Sequence, residues 1–182
     1  MNAIDLLTQD HQVVRGLFQQ FRSAHEDEDD ARMVEIAGQV VAELEVHTTI
    51  EEEIFYPAVR TADEELAESV DEGIQEHHVV DVLMNELRDT EDGGDEWVAK
   101  MTVLIENVEH HADEEEQEMF PEAREQFDDA RLDELGQELE QRQRSAKADL
   151  STKAELYEKA QEQGIEGRSE MTKEELAEAV SS

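Results

Sequence analysis

Apolar residues recur at helical spacing in four separate segments of the sequence, and this periodicity limits the folds that the chain can adopt. The segments cover residues 3–24, 31–59, 64–90 and 96–125. The acidic stretch 25–30 and the Asp-Gly-Gly-Asp turn at 92–95 predict two of the connections. Four helices of roughly 20–30 residues with short connections predict an all-α, up-down-up-down four-helix bundle.

The charge of the chain is strongly acidic. Its 182 residues include 51 Asp and Glu against 15 Lys and Arg, a formal net charge of −36. Such a balance is typical of disordered chains, but the regular apolar spacing favours a folded protein with an acidic surface. Acidic surfaces also occur in proteins from cells with high internal salt, because salt screens the repulsion. Nucleic acid and anionic membranes are unexpected partners, because their phosphates are repelled.

Several classes of protein are excluded by what the sequence lacks. There is no cysteine, so disulfides, cysteine-based zinc sites and iron–sulfur clusters are excluded. The longest apolar runs are only a few residues, and the first residues lack the features of a signal peptide. We therefore expect a cytoplasmic protein without a membrane span.

The second half of the helical pattern repeats the first. Residues 9–18 match residues 75–84 at an offset of 66, with five identities in ten positions. A His-x-x-x-Glu pair and a later proline recur at an offset of 64, as His47, Glu51 and Pro57 and as His111, Glu115 and Pro121. The sequence thus uses one helical hairpin twice and keeps the same polar residues in both copies. Pro57 is expected to limit the length of its helix.

Histidines and glutamates that both copies keep lie on otherwise apolar helix faces. A buried histidine must be hydrogen-bonded or bound to a ligand, and four of them would converge inside the bundle. Because His and Glu four residues apart share a helix face, each pair can present an imidazole and a carboxylate to one centre. This donor set suits two first-row transition metals bridged by the carboxylates. The predicted ligands are His11, His47, Glu51, His77, His111 and Glu115.

The alternative interpretation is a set of satisfied structural histidines. One His-x-x-x-Glu pair arises easily by chance in a chain with 51 acidic residues, so the prediction depends on its recurrence at matched register. Neighbouring His78 and His110 point about 100° away and are predicted to be solvated or to support the ligands. A solvated face is predicted for Glu52, Glu53, Glu114 and Glu116. The motifs of zinc proteases, ferritin-type di-iron proteins and EF-hands are absent from the sequence.

The order of the six predicted ligands, with the trailing stretches 52–57 and 116–121, resembles the hemerythrin-like HHE cation-binding domain over about residues 1–125. The resemblance implies a four-helix bundle with a non-haem di-iron centre bridged by an oxygen species. The four histidines would be terminal ligands, and Glu51 and Glu115 would bridge. Two Fe ions and a small diatomic or peroxide ligand are therefore expected, although His and carboxylate donors also suit Mn and Zn.

Two positions depart from the pattern of the oxygen-carrying hemerythrins. Those proteins have a further histidine one turn after the third-helix ligand, where this chain has Asp81. They also tend to have an Asp as the last carboxylate, one residue farther on, where this chain has Glu115 and then Glu116. Either one iron keeps an open coordination position or Asp81 fills it.

An open position favours reactions with oxygen, peroxide or nitric oxide, or iron sensing, over reversible oxygen carriage. The first hypothesis is a metal-binding protein that binds or senses one of these. The alternatives are a di-iron enzyme that consumes peroxide or nitric oxide, and a metal-sensing regulator whose tail contacts nucleic acid.

The remainder of the chain is predicted to be separate from the bundle, which we place at residues 1–127. Residues 128–149 predict a polar helical linker, and residues 150–182 predict a small second module. Two capping boxes are predicted to begin its helices, at Thr152 with Glu155 and at Thr172 with Glu175.

This module resembles the helix–extended loop–helix of the Rho termination factor N-terminal, SAP-like type, which often contacts nucleic acid. Residues 164–169 form its predicted loop, and Arg168 is the predicted contact if nucleic acid binds. Four basic residues stand against eight glutamates in the module, which favours a protein-interaction or structural role.

Overall fold

A computed structural model describes residues 1–90, 92–165, 167–168 and 171–180, and all regular structure in these residues is helical. Two π-helical turns interrupt the α-helices. In chain order the elements are α1 (Ala3–Glu26), α2 (Asp30–Ile50), a π-turn (Glu51–Phe55), α3 (Tyr56–Arg60), α4 (Glu64–Arg88), α5 (Asp95–Glu114), a second π-turn (Glu115–Met119), α6 (Phe120–Gln126), α7 (Asp129–Glu162) and α8 (Lys173–Val180).

The predicted all-α four-helix bundle is confirmed. The second bundle helix consists of α2, the first π-turn and α3, and the fourth consists of α5, the second π-turn and α6. Helix α1 packs against α2, α4 packs against α5, and α1 also contacts α5. We call residues 1–60 the first half and residues 64–126 the second half.

Side-chain caps set where the helices begin. Asn2, Asp29 and Asp63 each accept a hydrogen bond from a backbone N–H in the first turn of the following helix. Such caps satisfy N–H groups that have no partner inside the helix. The predicted turn before α5 contains Gly93 with φ of 78°, a left-handed conformation that favours glycine.

Apolar layers enclose the middle of the bundle from both ends. One layer extends toward the α1–α2 and α4–α5 connections and includes Phe21 and Trp97, whose ring centroids are 5.9 Å apart. The other layer lies toward the start of α1 and includes the fully buried Leu7, Phe55 and Leu66. The polar residues between these layers are therefore shielded from water.

Contacts within the chain define two units, Met1–Glu140 and Gln141–Ser182. In the first unit, α7 buries Leu132, Leu135 and Leu139. A Cβ added at Gly136 would lie 2.3 Å from the backbone oxygen of Met1, so the close approach of these segments requires glycine. The predicted polar linker is thus helical, with a packed apolar face in its first part.

In the second unit, one of the two predicted capping boxes is present. Thr172 N–H donates to the Glu175 carboxylate at 2.7 Å, and Glu175 N–H donates to the Thr172 hydroxyl at 3.3 Å. The capping box predicted at Thr152 was wrong, because α7 continues through this residue and the Thr152 hydroxyl donates to the Ala148 carbonyl. A hydroxyl inside a helix can bond the preceding turn in this way.

The arginine of the loop before α8 contacts residues of its own unit. Arg168 donates to the Ile165 carbonyl at 3.1 Å, and its guanidinium lies 5.6 Å from the centroid of the Tyr157 ring. The resemblance to the Rho-type module, the proposed domain bounds and the role of this unit stay predictions. No helix within the described ranges has both the length and the apolar character needed to span a bilayer.

Candidate metal centre

Four helices and the two π-turns bring the six predicted ligands into the middle of the bundle. Each of the six is at most 5% exposed. Within this set, two groups have donor atoms close enough to hold metal ions, namely His11, His47, Glu51 and Glu115, and Glu51, His77 and His111. A third group of this kind, Glu76, His110 and Glu114, lies closer to the surface. The structure thus brings together every residue of the predicted ligand set, in two adjacent groups that share Glu51.

The imidazoles form two pairs whose Nε2 atoms point toward each other. The distance between these atoms is 3.1 Å for His11 and His47 and also 3.1 Å for His77 and His111. Without a metal, a proton must separate two imidazole nitrogens at this distance, because neutral lone pairs repel. The facing nitrogens are therefore suited to share a cation or a proton.

The first carboxylate connects the two histidine pairs. Glu51 Oε2 lies 3.2 Å from His47 Nε2 and 3.4 Å from His77 Nε2. These two histidines come from different halves of the bundle, so Glu51 is placed to bridge the two groups.

The second carboxylate connects the remaining two histidines. Glu115 Oε2 lies 3.3 Å from His11 Nε2 and 3.7 Å from His111 Nε2. Each glutamate thus lies between a histidine of the first half and a histidine of the second half.

The π-turns position these glutamates. Glu51 and Glu115 each begin a π-turn. The N–H group of Tyr56 donates to the Glu51 carbonyl, and that of Phe120 donates to the Glu115 carbonyl, in each case five residues back. A proline follows directly in both places, and its ring cannot fit against the carbonyl four residues earlier in a regular α-helix. The widened turn accommodates the proline, so the helix continues beyond Pro57 to Arg60.

An outer set of carboxylates faces the other nitrogen of each imidazole, and three of these four contacts are hydrogen bonds. Their oxygens face the Nδ1 atoms of the four histidines, as Glu116 with His11 at 2.9 Å, Asp10 with His47 at 3.7 Å, Glu52 with His77 at 2.9 Å and Glu76 with His111 at 2.6 Å. We call these four residues the outer carboxylates. Such partners fix the ring orientation and tautomer of metal-binding histidines.

The outer carboxylates follow a crossed scheme. Asp10 and Glu76 directly precede the histidines of α1 and α4, and each faces the histidine of the following helix, His47 or His111. Glu52 and Glu116 directly follow the inner glutamates, and they contact His77 of α4 and His11 of α1. Sequence reasoning assigned Glu52 and Glu116 to a solvated face and did not consider Asp10 and Glu76. Their recurrence at the same offsets of 66 and 64 as the ligands could have identified them.

In the metal-free centre, the buried histidines and glutamates shift one another's pKa values. Burial disfavours the charged form of His77, but the nearby Glu51 carboxylate and the hydrogen bond between His77 Nδ1 and Glu52 outweigh burial and raise the pKa of His77 to about 10. Burial would raise the pKa of Glu115, but the charge of His111 contributes to holding it well below its ordinary value. The metal-free centre therefore takes up protons where a metal cation would bind.

Buried oxygen atoms in the centre lack hydrogen-bond donors. Among the described residues, both oxygens of Glu51 and Oε2 of Glu115 receive no hydrogen bond. A buried polar atom without a partner costs about 1–3 kcal/mol, and more when it is charged. A cation between these oxygens and the facing imidazoles would satisfy both, so the residues present fit a carboxylate-bridged pair of metal ions.

Tyr56 is a site residue that the sequence analysis did not identify. Its hydroxyl is buried and donates to Glu115 Oε1 at 2.9 Å, and it lies 3.4 Å from His77 Nε2. Burial and the charges of Glu115 and Glu51 raise the pKa of Tyr56 well above its ordinary value. A signal was present in the repeat, because the corresponding residue of the second half is Phe120.

Asp81 does not lie in the centre. The inward face of α4 runs through His77, Val80 and Met84, which are buried, whereas Asp81 is exposed. The alternative that Asp81 fills a coordination position is therefore not supported by its placement.

The other acidic and histidine neighbours of the ligands lie at the surface. His78, His110 and Glu53 are exposed, as predicted for a solvated position. His110 lies 3.2 Å from Glu114, whose side chain is 42% exposed. The exposed His78 is therefore a suitable control for experiments on the buried histidines.

A small cavity adjoins the four histidines. Its volume is about 20 Å³, and the residues that line it include Val14, Phe18, Val80 and Val108. A cavity of about 10–15 Å³ accommodates one water molecule, so this cavity has room for a ligand of only a few atoms.

Comparison with known proteins identifies the family. The model of the hemerythrin HHE cation binding domain matches residues 2–123. The protein Rv2633c of Mycobacterium tuberculosis and the protein Mb2666c of Mycobacterium bovis are each 32% identical to the chain over 143 residues. Each alignment covers 76% of this chain and 83% of the relative.

A solved structure has a similar fold. It is the crystal structure of a hemerythrin HHE cation binding domain-containing protein from Mycobacterium kansasii, described as an Rv2633c homolog. The superposition has a TM-score of 0.71 at 24% identity and covers 93% of this chain and 98% of that one. With the family model and the Mycobacterium relatives, it leads to one conclusion: the chain belongs to the hemerythrin HHE cation-binding domain family.

Proposed function

We propose that the protein holds two non-haem iron ions and binds or senses a small oxygen or nitrogen species, namely dioxygen, peroxide or nitric oxide. The observation that carries this proposal is the pair of adjacent donor groups that share Glu51 and contain buried carboxylate oxygens without hydrogen-bond donors. His and carboxylate donors in this combination suit iron, and also Mn or Zn.

The residues that would hold the metals divide between the two halves. His11 and His47 would serve one ion and His77 and His111 the other, while Glu51 and Glu115 would bridge them. When bound, the two irons would supply reversible electron transfer and a site where a small ligand attaches. The outer carboxylates would keep each imidazole in the orientation that presents Nε2 to the metal.

The surroundings of the centre favour a small, uncharged or weakly charged ligand. The adjoining cavity of about 20 Å³ is too small for an organic substrate. Its walls are mostly apolar and include Val14, Phe18 and Val108. The chain therefore provides a small, largely apolar site for a molecule of a few atoms, which agrees with the proposed ligands.

The test is the metal content and spectrum of the protein. We expect about two irons per chain after loading with ferrous iron and exposure to air, with near-ultraviolet bands of an oxo-bridged pair. His47→Ala and Glu115→Ala should lose iron, because each removes a donor that the buried centre cannot replace. The matched control His78→Ala changes an exposed histidine next to a proposed ligand and should keep both irons. Full iron content in His47→Ala and Glu115→Ala would overturn the proposal.

An enzyme that consumes peroxide or nitric oxide at the same centre is the second candidate. The observation that favours it is the exposed position of Asp81, because this side chain does not fill the position of the extra histidine found in oxygen carriers. The iron-loaded protein would then remove peroxide faster than His111→Ala that has been treated with iron in the same way. Equal rates would exclude catalysis at the centre and leave binding or sensing.

A further inference from the structure

A second cavity reaches the metal centre from the side of α4 and the second π-turn. Its volume is about 50 Å³, which is room for a few water molecules. The buried His111 and Glu115 line one part of its wall, and the partly exposed Glu76 and Glu114 line another. The cavity therefore leads from the surface to two of the six proposed ligands.

The outer part of this cavity has a set of metal-binding side chains. Glu76, His110 and Glu114 have donor atoms that all lie within 4.8 Å of one another, and His110 Nε2 is 3.2 Å from Glu114 Oε1. The exposed fraction falls from 67% at His110 through 42% at Glu114 to 24% at Glu76, so the group extends inward from solvent. One imidazole and two carboxylates suit a divalent first-row transition metal ion that keeps water at its other positions.

The inner part of the cavity contains a buried oxygen that lacks a partner. Glu115 is 2% exposed, and its Oε2 atom receives no hydrogen bond from the described residues. Glu76 connects the two parts, because one of its oxygens lies 2.6 Å from His111 Nδ1. Acidic surface residues are common in a chain with 51 of them, so the unpartnered oxygen at the inner end is what points to a cation.

The repeat shows that this polar cavity belongs to the second half. At the corresponding positions the first half has apolar residues that are at most 2% exposed, namely Leu6, Leu7, Val46 and Ile50. The residues that replace them in the second half are Glu72, Gly73, His110 and Glu114. A Cβ at Gly73 would lie 3.6 Å from His111 Cε1, so glycine leaves space at the inner end. Because a cation is costly to transfer into apolar surroundings, the second half provides the better path for one.

We propose that Glu76, His110 and Glu114 form an outer site for a divalent transition metal ion, from which the ion passes through the cavity to the His77–His111 position. This proposal rests on the proposed function, because the buried centre must accept the ion. The outer site would replace part of the water shell of the ion by one imidazole and two carboxylates. The mostly apolar cavity of about 20 Å³ beside the four histidines would then serve the small ligand alone.

The rate of iron uptake tests the outer site without relying on any activity of the loaded protein. Ferrous iron is mixed with the metal-free full-length protein, and bound iron is measured over time after rapid chelation of the free ion. His110→Ala and Glu114→Gln should take up iron several-fold more slowly and still bind about two irons at completion. The controls His78→Ala and Glu53→Gln make the same changes at exposed residues that do not line the cavity, and they should keep the unmodified rate.

The two variants separate a metal site from simple attraction by charge. His110→Ala removes a ligand but no negative charge, so a normal rate in this variant would overturn the outer site, even if Glu114→Gln were slow. A lower final iron content in either variant would also overturn it, because the residue would then support the buried centre. Two irons bound at equal rates by every protein would overturn this proposal and leave the di-iron proposal standing. Failure of the unmodified protein to bind iron would overturn both.

Discussion

The two halves of the bundle have nearly identical inner geometry and different surroundings. The ring centroids of His11 and His47 are 4.8 Å apart at an interplanar angle of 64°, and those of His77 and His111 are 4.7 Å apart at 67°. The likeness follows from the repeat, because both halves use the same helix registers and the same proline-induced π-turn. The backbone of each half therefore positions one pair of histidines in the centre, and the two pairs have the same geometry.

The two halves differ in the charged residues around the metal-binding side chains. In the first half, Arg15 donates to Glu116 at 2.7 Å and to Asp113 at 2.8 Å. The residue that corresponds to Arg15 in the second half is Asp81, which is exposed. The comparison teaches that similar histidine pairs experience different electric fields, so one centre can contain two positions with different properties.

The largest expected effect comes from pH. Metals bind neutral imidazole, whereas the metal-free protein holds His77 with a pKa raised to about 10. Metal uptake at neutral pH must therefore displace protons, and metal affinity should rise about tenfold per pH unit for each proton displaced. Calorimetry of metal binding in two buffers with different ionisation enthalpies measures this release. An identical apparent enthalpy in both buffers would contradict the prediction.

The same pKa predicts opposite trends for the stability of the two forms. Because the folded pKa of His77 is raised, its contribution to the stability of the metal-free protein is complete below about pH 6.5. That contribution is lost as pH rises through about 10. The metal-free protein should thus lose stability from neutral to alkaline pH, while metal binding stabilises the loaded protein more strongly. Thermal unfolding of both forms over this range measures the difference, and a constant gap in Tm would contradict it.

The next largest effect is expected from the outer carboxylates, because changing one of them should weaken one metal position and leave the other intact. Glu76→Gln should weaken the His77–His111 position, and Glu116→Gln should weaken the His11–His47 position. Loss of such a partner typically lowers metal affinity about 10- to 100-fold. Chelator competition should remove one metal early in each variant and leave the other in place. Glu118→Gln, an exposed change on the second π-turn, is the control, and release like that of the control from both variants would refute the crossed scheme.

The sequence predicted the bundle and the six inner residues because both depend on helical periodicity and on repetition. Apolar spacing placed all four bundle helices, and matched registers selected four of the seven histidines of the sequence. The expected end of the helix near Pro57 was close to the observed end at Arg60. The π-turn before the proline was not predicted, because the spacing rules assume 3.6 residues per turn throughout.

What the sequence reasoning missed depends on contacts across helices. Glu52 and Glu116 reach histidines of other helices, and a chain with 51 acidic residues gives no reason to single them out by type. Tyr56 had the appearance of an ordinary core aromatic until its hydroxyl was found beside Glu115. Thr152 and Glu155 have the local pattern of a helix cap. However, the residues on both sides of Thr152 are helical, so α7 continues through this position.

The smallest expected effect comes from exchanging the charges that distinguish the halves. Arg15 lines the cavity beside His11 and His47, so its positive charge opposes a metal cation there, although its contact with Glu116 also steadies the His11 ring. The contact joins side chains that are 28% and 27% exposed, and such ion pairs contribute about 0–1 kcal/mol.

We therefore expect the charge to outweigh the contact. Arg15→Asp should slow metal release from the His11–His47 position a few-fold, and Asp81→Arg should speed release from the His77–His111 position. Stopped-flow chelation at low and high salt measures both rates, and both changes should shrink at high salt because charges at this exposure are screened. Faster release from Arg15→Asp at every salt concentration would show instead that the contact between Arg15 and Glu116 dominates, and that the halves differ in how firmly their imidazoles are held.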